Sequence, residues 1–217
     1  MVSMKEVIGM FKRPPQFKLR MLAMIIGIIM MGAALSVLMK LKLGIDPYAC
    51  FVLGLSKQLH MSYGTCHLLV QLIMFVVVIY FNKEMIGFGT IGNMVCLGYV
   101  TDFGTYLLDS FIPSTFWDNI VTRVWILLPT MIIFVIGVAL YMVVELGVSP
   151  YDGIPFIITS IFKKASFRNV RMVWDFTFLF LGYLLGGTVG VVTLLCVCFI
   201  GPVTAWMGRK LTPYLEG

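Results

Sequence analysis

The sequence predicts an all-α integral membrane protein made of two tandem repeats offset by 103 residues. Each repeat holds three long hydrophobic helices plus one short helix opened by proline. Three observations carry this. Of 217 residues, 60% are hydrophobic and only 12% charged, far from a soluble composition. The apolar residues gather in near-continuous runs, as bilayer spans require. And Leu43-Gly44-Ile45-Asp46-Pro47-Tyr48 returns as Leu146-Gly147-Val148-Ser149-Pro150-Tyr151, followed by Asp152.

In order along the chain, residues 1–20 are basic and include Pro14-Pro15, without the short apolar core and cleavage site of a signal peptide. They read as a cytoplasmic arm held by positive charge. The first membrane repeat is assigned to 21–108. Its first span runs from about Met21 to Leu43, and a short helix follows Pro47. Ser62-Tyr63-Gly64 reads as a turn, Cys66 to Phe81 as a third apolar stretch, and Met85 to Leu108 as a glycine-rich fourth. A polar joint at 109–120 leads to the second repeat at 121–208. There Val121 to Leu146 is a long span and Tyr151 to Phe162 a short one, with Lys163 to Ser166 as the turn. Val170 to Leu185 and Gly187 to Met207 complete the repeat, and residues 209–217 form a short cytoplasmic tail.

The duplication can be counted. Sliding 43–101 by 103 positions without a gap gives twelve identities in fifty-nine, among them Gly44/Gly147, Pro47/Pro150, Tyr48/Tyr151, Gly87/Gly190, Thr90/Thr193 and Gly98/Gly201. The short segments hold about 13 residues, so as helices they reach about 20 Å against a hydrocarbon core of about 30 Å. If they dip in and return, the halves are inverted. If they cross, the halves run parallel. Both arrangements put the two termini inside, charge counting does not separate them, and segment length favours the dipping, inverted one.

The doubled LG-[IV]-x-PY, with a later G-x-x-T and a glycine eight residues on, resembles the YczE/YitT-like family of small bacterial inner-membrane proteins. The resemblance covers about residues 20–210. It implies a multi-pass inner-membrane protein, often suspected of transport, and fixes no substrate. The first copy departs from the second after Pro-Tyr, where Ala49 stands in place of Asp152.

A helix that breaks at Gly-x-x-Pro frees carbonyls at one end and amides at the next helix start. In lipid such groups persist only when packed in protein or facing a wet cavity. Paired short helices in the two halves of a transporter point to its substrate site; tight turns at the membrane surface are the structural alternative. The candidate binding residues are therefore Gly44, Pro47, Tyr48, Gly147, Pro150, Tyr151 and Asp152. Asp152 suits either a dipole-complementing position in a first helical turn or a protonatable group at a cavity. Asp102, Asn93, Gln71, Asp175 and Arg171 are polar within apolar runs and form the candidate coupling set. Each also suits a helix–helix contact. Arg171 and Asp175 share a helix face and can pair.

Five cysteines and two histidines lack zinc or disulfide spacing, so neither a metal nor a cofactor is expected. No nucleotide-binding or hydrolase motif occurs, which argues against an enzyme. The net charge of +6 fits a positive-inside bias and needs no nucleic-acid partner. The partners expected are the lipid bilayer, a small polar solute, and a membrane protein or second copy of the chain. The leading reading is a secondary transporter or permease, coupled to protons or to a cationic group. The runner-up is a non-transporting membrane scaffold.

Overall fold

The computed structural model describes residues 14–162 and 165–216. The first thirteen residues of the arm and Lys163-Lys164 of the expected turn lie outside them. Among the described residues the chain is helical throughout. Its elements are α1 (Phe17–Leu41), α2 (Pro47–Leu59), α3 (Tyr63–Phe81), α4 (Phe88–Gly92), a π turn (Asn93–Leu97) and α5 (Gly98–Phe111). There follow α6 (Ile120–Val143), α7 (Pro150–Ile161), α8 (Phe167–Leu184) and α9 (Val191–Glu216). Helix α4, the π turn and α5 form one unbroken helical run. Among the described residues four helices are long and apolar enough to cross a bilayer: α1, α3, α6 and Val191–Leu215 within α9.

Local chemistry sets the helix starts. Asp46 accepts from the Ala49 amide at 3.1 Å, and Pro47 occupies the first turn of α2, where no amide partner is needed. Ser149 and Pro150 repeat this at α7, with Ser149 accepting from the Asp152 amide at 3.2 Å. Ser62 accepts from Thr65 and starts α3 at Tyr63. The expected turn at Ser62-Tyr63-Gly64 is therefore a helix start, and the reversal lies just before it at His60, whose φ is 53°.

Close approaches fix the directions. Along α1, Arg20 meets Val144, while Gly27 lies against Gly137 and Tyr141, so α1 and α6 are antiparallel. Gly32 packs on Val100, Ser36 on Gly104, and Lys40 pairs with Asp109, so α1 and α5 are parallel. The start of α1 and the end of α9 share one end of the molecule, where Arg20 reaches both the Val144 and Leu215 carbonyls at 2.8 and 3.0 Å. Arg20 is only 4% exposed. Helix α1 thus begins inside the segment read as a solvated arm, and its basic residue is an interior clamp. Likewise α9 continues through the segment read as a tail.

Candidate functional site

The two proline-initiated helices are held by a reciprocal clasp. In one direction, Thr90 donates its hydroxyl to the Val148 carbonyl at 2.8 Å, and the Gly89 amide donates to the Leu146 carbonyl at 2.7 Å. In the other, Thr193 donates to the Ile45 carbonyl at 2.7 Å, and the Val192 amide to the Leu43 carbonyl at 3.1 Å. Each hydroxyl also accepts from a glycine amide three residues earlier, Gly87 or Gly190. So the carbonyls freed where α1 and α6 break are satisfied by the opposite half, as burial demands. Gly44 and Gly147 make this possible. Their φ angles are 104° and 108°, and a Cβ on them would lie 2.6 Å from the Gly190 nitrogen and 2.5 Å from the Gly87 nitrogen.

Held this way, α2 and α7 point their amino-terminal ends at one another. The Tyr48 and Tyr151 rings meet there with centroids 4.6 Å apart. Phe178 stands edge-on to Tyr151 at 5.1 Å, and Trp174 lies 5.8 Å from it. On the other flank His67 is edge-on to Tyr48 at 5.5 Å. Both tyrosines are buried, and His67 and Gln71 are 0% and 1% exposed.

A charged network wraps the α7 end. Arg171 Nη1 lies 2.6 Å from Asp152 Oδ1, and Arg171 Nε 2.9 Å from Asp175 Oδ2. The Tyr151 hydroxyl donates to Asp175 Oδ1 at 2.6 Å, the Ser149 hydroxyl to Asp152 Oδ2 at 2.7 Å. The Arg171 guanidinium carbon sits 5.1 Å from the Tyr151 ring centre. The expected Arg171–Asp175 pair is present and extends to Asp152, so these three act as one unit.

Gln71 and Asn93 join the same junction from α3 and the π turn. Gln71 accepts from the Tyr151 amide at 3.3 Å and donates to Asn93 Oδ1 at 3.4 Å. His67 Nε2 lies 3.3 Å from the Asn93 carbonyl. Asp102 is placed elsewhere: it accepts from the Gly64 amide at 2.9 Å, capping α3 where α3 and α5 touch. Among the candidates it is the one the fold sets apart from the Asp152 network. Asp46 goes the other way. Sequence reasoning that weights the residue after Pro-Tyr misses it, yet it caps α2 within electrostatic reach of Asp152, Asp175 and Arg171. Each copy of the motif therefore carries an acid, at neighbouring rather than equivalent positions. Its signal is present in the sequence, since an Asp immediately before Pro is a helix cap.

Two surface cavities lie over the breaks. One, of about 230 Å³, is lined by Glu84, Met85, Tyr141, Glu145, Val148 and Asp152. The other, of about 390 Å³, is lined by Met39, Lys42, Lys57, Tyr183, Thr188 and Val189. Glu145 follows the end of α6 and Lys42 the end of α1, so the cavities open at opposite ends of the molecule. Among the described residues no group of three or more metal-ligating side chains occurs.

Comparison with known proteins places the chain. Residues 18–209 match the model of a family described as "Family of unknown function (DUF6198)". The chain is 25% identical over 178 residues to the uncharacterized protein YyaS of Bacillus subtilis, covering 81% of this chain and 86% of that one. It is likewise 25% identical over 178 residues to the uncharacterized membrane protein YczE of the same organism, covering 81% and 79%. An uncharacterized protein of Haemophilus influenzae is 31% identical over 121 residues, covering 56% and 52%. No solved structure matches. The chain is a helical membrane protein similar to YczE, and it belongs to the DUF6198 family.

Proposed function

We propose that the protein is a small secondary transporter or permease that binds a polar solute where the two short helices meet. One observation carries the reading: the mouths of α2 and α7 converge on a buried tyrosine pair beside the Asp152–Arg171–Asp175 network. An exposed turn would place no ion network there. Desolvating two carboxylates and a guanidinium is costly, and such groups inside a membrane protein mark pathways more often than scaffolding.

The fold reads as two inverted copies of one unit. The starts of α2 and α7 and of α4 and α9 differ by 103 residues, the two clasps swap partners at the same offset, and α1 runs against α6. If α1 and α6 both span the bilayer, the chain between their starts crosses it an odd number of times. The short helices then enter and return. Both ends of the described chain share one face, which the basic arm assigns to the cytoplasm. The cavities over Asp152 and Lys42 then open to opposite sides, and the tyrosine pair closes the way between them.

Uptake by proteoliposomes tests this. Purified protein should take up at least one solute from a panel of amines, amino acids and organic acids. Asp152→Asn should reduce that uptake about tenfold or more, as loss of a site charge does. No movement of any solute, together with wild-type behaviour of the Asn variant in cells, would overturn it.

A further inference from the structure

Charge at the junction does not balance. Asp46, Asp152 and Asp175 supply three carboxylates against the single guanidinium of Arg171. Two helix N-termini add about half a positive charge each, which leaves about one negative charge over. The cavity that reaches Asp152 has the same sign. Glu84, Glu145 and Asp152 are the carboxylates on its wall, and among the described residues no lysine or arginine lines it, although Arg20 lies 3.9 Å from Glu145 and Arg171 2.6 Å from Asp152. Its counterpart at the other end carries Lys42 and Lys57. Glu145 and Lys42 occupy matching positions, each just past a long helix with a left-handed backbone, φ 50° and 54°. The two cavities share matching positions, Lys42 with Glu145 and Met39 with Met142, and the charge on their walls is reversed.

Hydrogen bonding points the same way. Among the described residues three buried side-chain polar atoms lack a partner, and two of them flank the tyrosine pair: His67 Nδ1 and Trp174 Nε1. The third, on Trp117, is elsewhere. His67 Nε2 faces a carbonyl, which can only accept, so this nitrogen carries the hydrogen. Neutral His67 then offers a bare lone pair at Nδ1, in a side chain that is 0% exposed. Beside the negative surplus stands an acceptor in want of a donor, with aromatic faces around it. A protonated amine meets all three: charge for the carboxylates, N–H for the imidazole, and a cation over the rings of Tyr48 and Tyr151. An anion meets none of these three, and the unpartnered Trp174 Nε1–H, a donor, calls for an oxygen elsewhere on the solute, such as the hydroxyl of an amino alcohol.

We infer that the solute is a protonated amine, admitted through the cavity of Glu84, Glu145 and Asp152 and received at the Tyr48–Tyr151 junction. This rests on the transport reading and names its substrate class. In the clasped state the tyrosine rings touch, so the amine is first held at Asp152 and reaches the junction when the rings part.

The test uses the full chain in lipid nanodiscs and in proteoliposomes, with four small probes: ethanolamine, choline, ethylene glycol and glycolate. Ethanolamine should bind by calorimetry. Choline, which lacks N–H, should bind about tenfold more weakly, and ethylene glycol and glycolate should give no signal. Asp152→Asn should weaken ethanolamine about tenfold. The exposed pair Glu84→Gln/Glu145→Gln, which leaves the Asp152–Arg171–Asp175 network whole, should weaken it about threefold and flatten its salt dependence. Binding of glycolate in preference to ethanolamine, or an unaltered ethanolamine affinity in both variants, overturns the amine assignment. Ethanolamine bound but not moved across the proteoliposome membrane keeps the amine site and overturns transport. Glycolate moved and ethanolamine ignored does the reverse.

Discussion

The mouths of α2 and α7 have the same backbone and opposite chemistry. Each follows a glycine at positive φ, starts at a proline, and is docked by a threonine hydroxyl from the other half. At the α7 mouth Ser149 caps, and the first turn carries Asp152 in an ion network with Arg171 and Asp175. At the α2 mouth Asp46 caps, Ala49 takes the place of Asp152, and Leu68 and Leu72 stand at the positions of Arg171 and Asp175. The clasp tolerates little change because backbone meets backbone there. The residues one turn further on face the junction and are free to differ. Frame and chemistry are thus separable in this molecule, and substitutions should sort by which of the two they touch.

The largest effects fall on the frame and should be equal at both mouths. Gly44→Val and Gly147→Val each force a side chain into a neighbouring backbone at positive φ. Each should cost about 3 kcal/mol or more, seen as loss of monodisperse protein by size-exclusion chromatography. If one is tolerated, the two clasps are not equivalent. Next comes Arg171→Met, which strands two carboxylates. A partly exposed network of this kind should lose about 2 kcal/mol, measured as a lower Tm in detergent, and Leu68→Met at the equivalent α2 position should change little. Tyr151→Phe removes a short bond to Asp175 and should cost about 1.5 kcal/mol on the same measurement. Thr90→Val and Thr193→Val, matched again, each leave a freed carbonyl unpaired at about 1 kcal/mol apiece by thermal shift. Smallest is Tyr48→Phe, which removes only a 3.4 Å contact to the His67 carbonyl and should cost about 0.5 kcal/mol. Equal losses for the tyrosines and unequal ones for the threonines would break the comparison.

Much of this is legible in the residues. The apolar runs set the class, Pro47 and Pro150 mark the short helices, and the four-residue spacing gives the Arg171–Asp175 pair. The doubled Gly-x-x-Thr is visible as identity, but its meaning is not. The carbonyls it satisfies belong to the other half, and a threonine's long-range acceptor leaves no local pattern. Arg20 ends a basic stretch and so reads as part of the arm, whereas its guanidinium is consumed by the carbonyls ending α6 and near the end of α9. Ser62 looks like part of a turn because serine serves turns and helix caps alike. The tyrosine pair is hidden altogether. Tyr48 and Tyr151 stand out singly in the sequence, and only the crossing of the two halves brings them face to face.

If two opposed halves share one site reached from both sides of the membrane, the two cavities face opposite compartments. In a cysteine-free background, Glu145→Cys and Lys42→Cys place one thiol in each cavity. Labelling of right-side-out and inside-out vesicles with a membrane-impermeant maleimide reads their sidedness directly. The inverted arrangement predicts that the thiol at position 145 reacts from the cytoplasmic side and the thiol at position 42 from the outside. Reaction of both from the same side would contradict it.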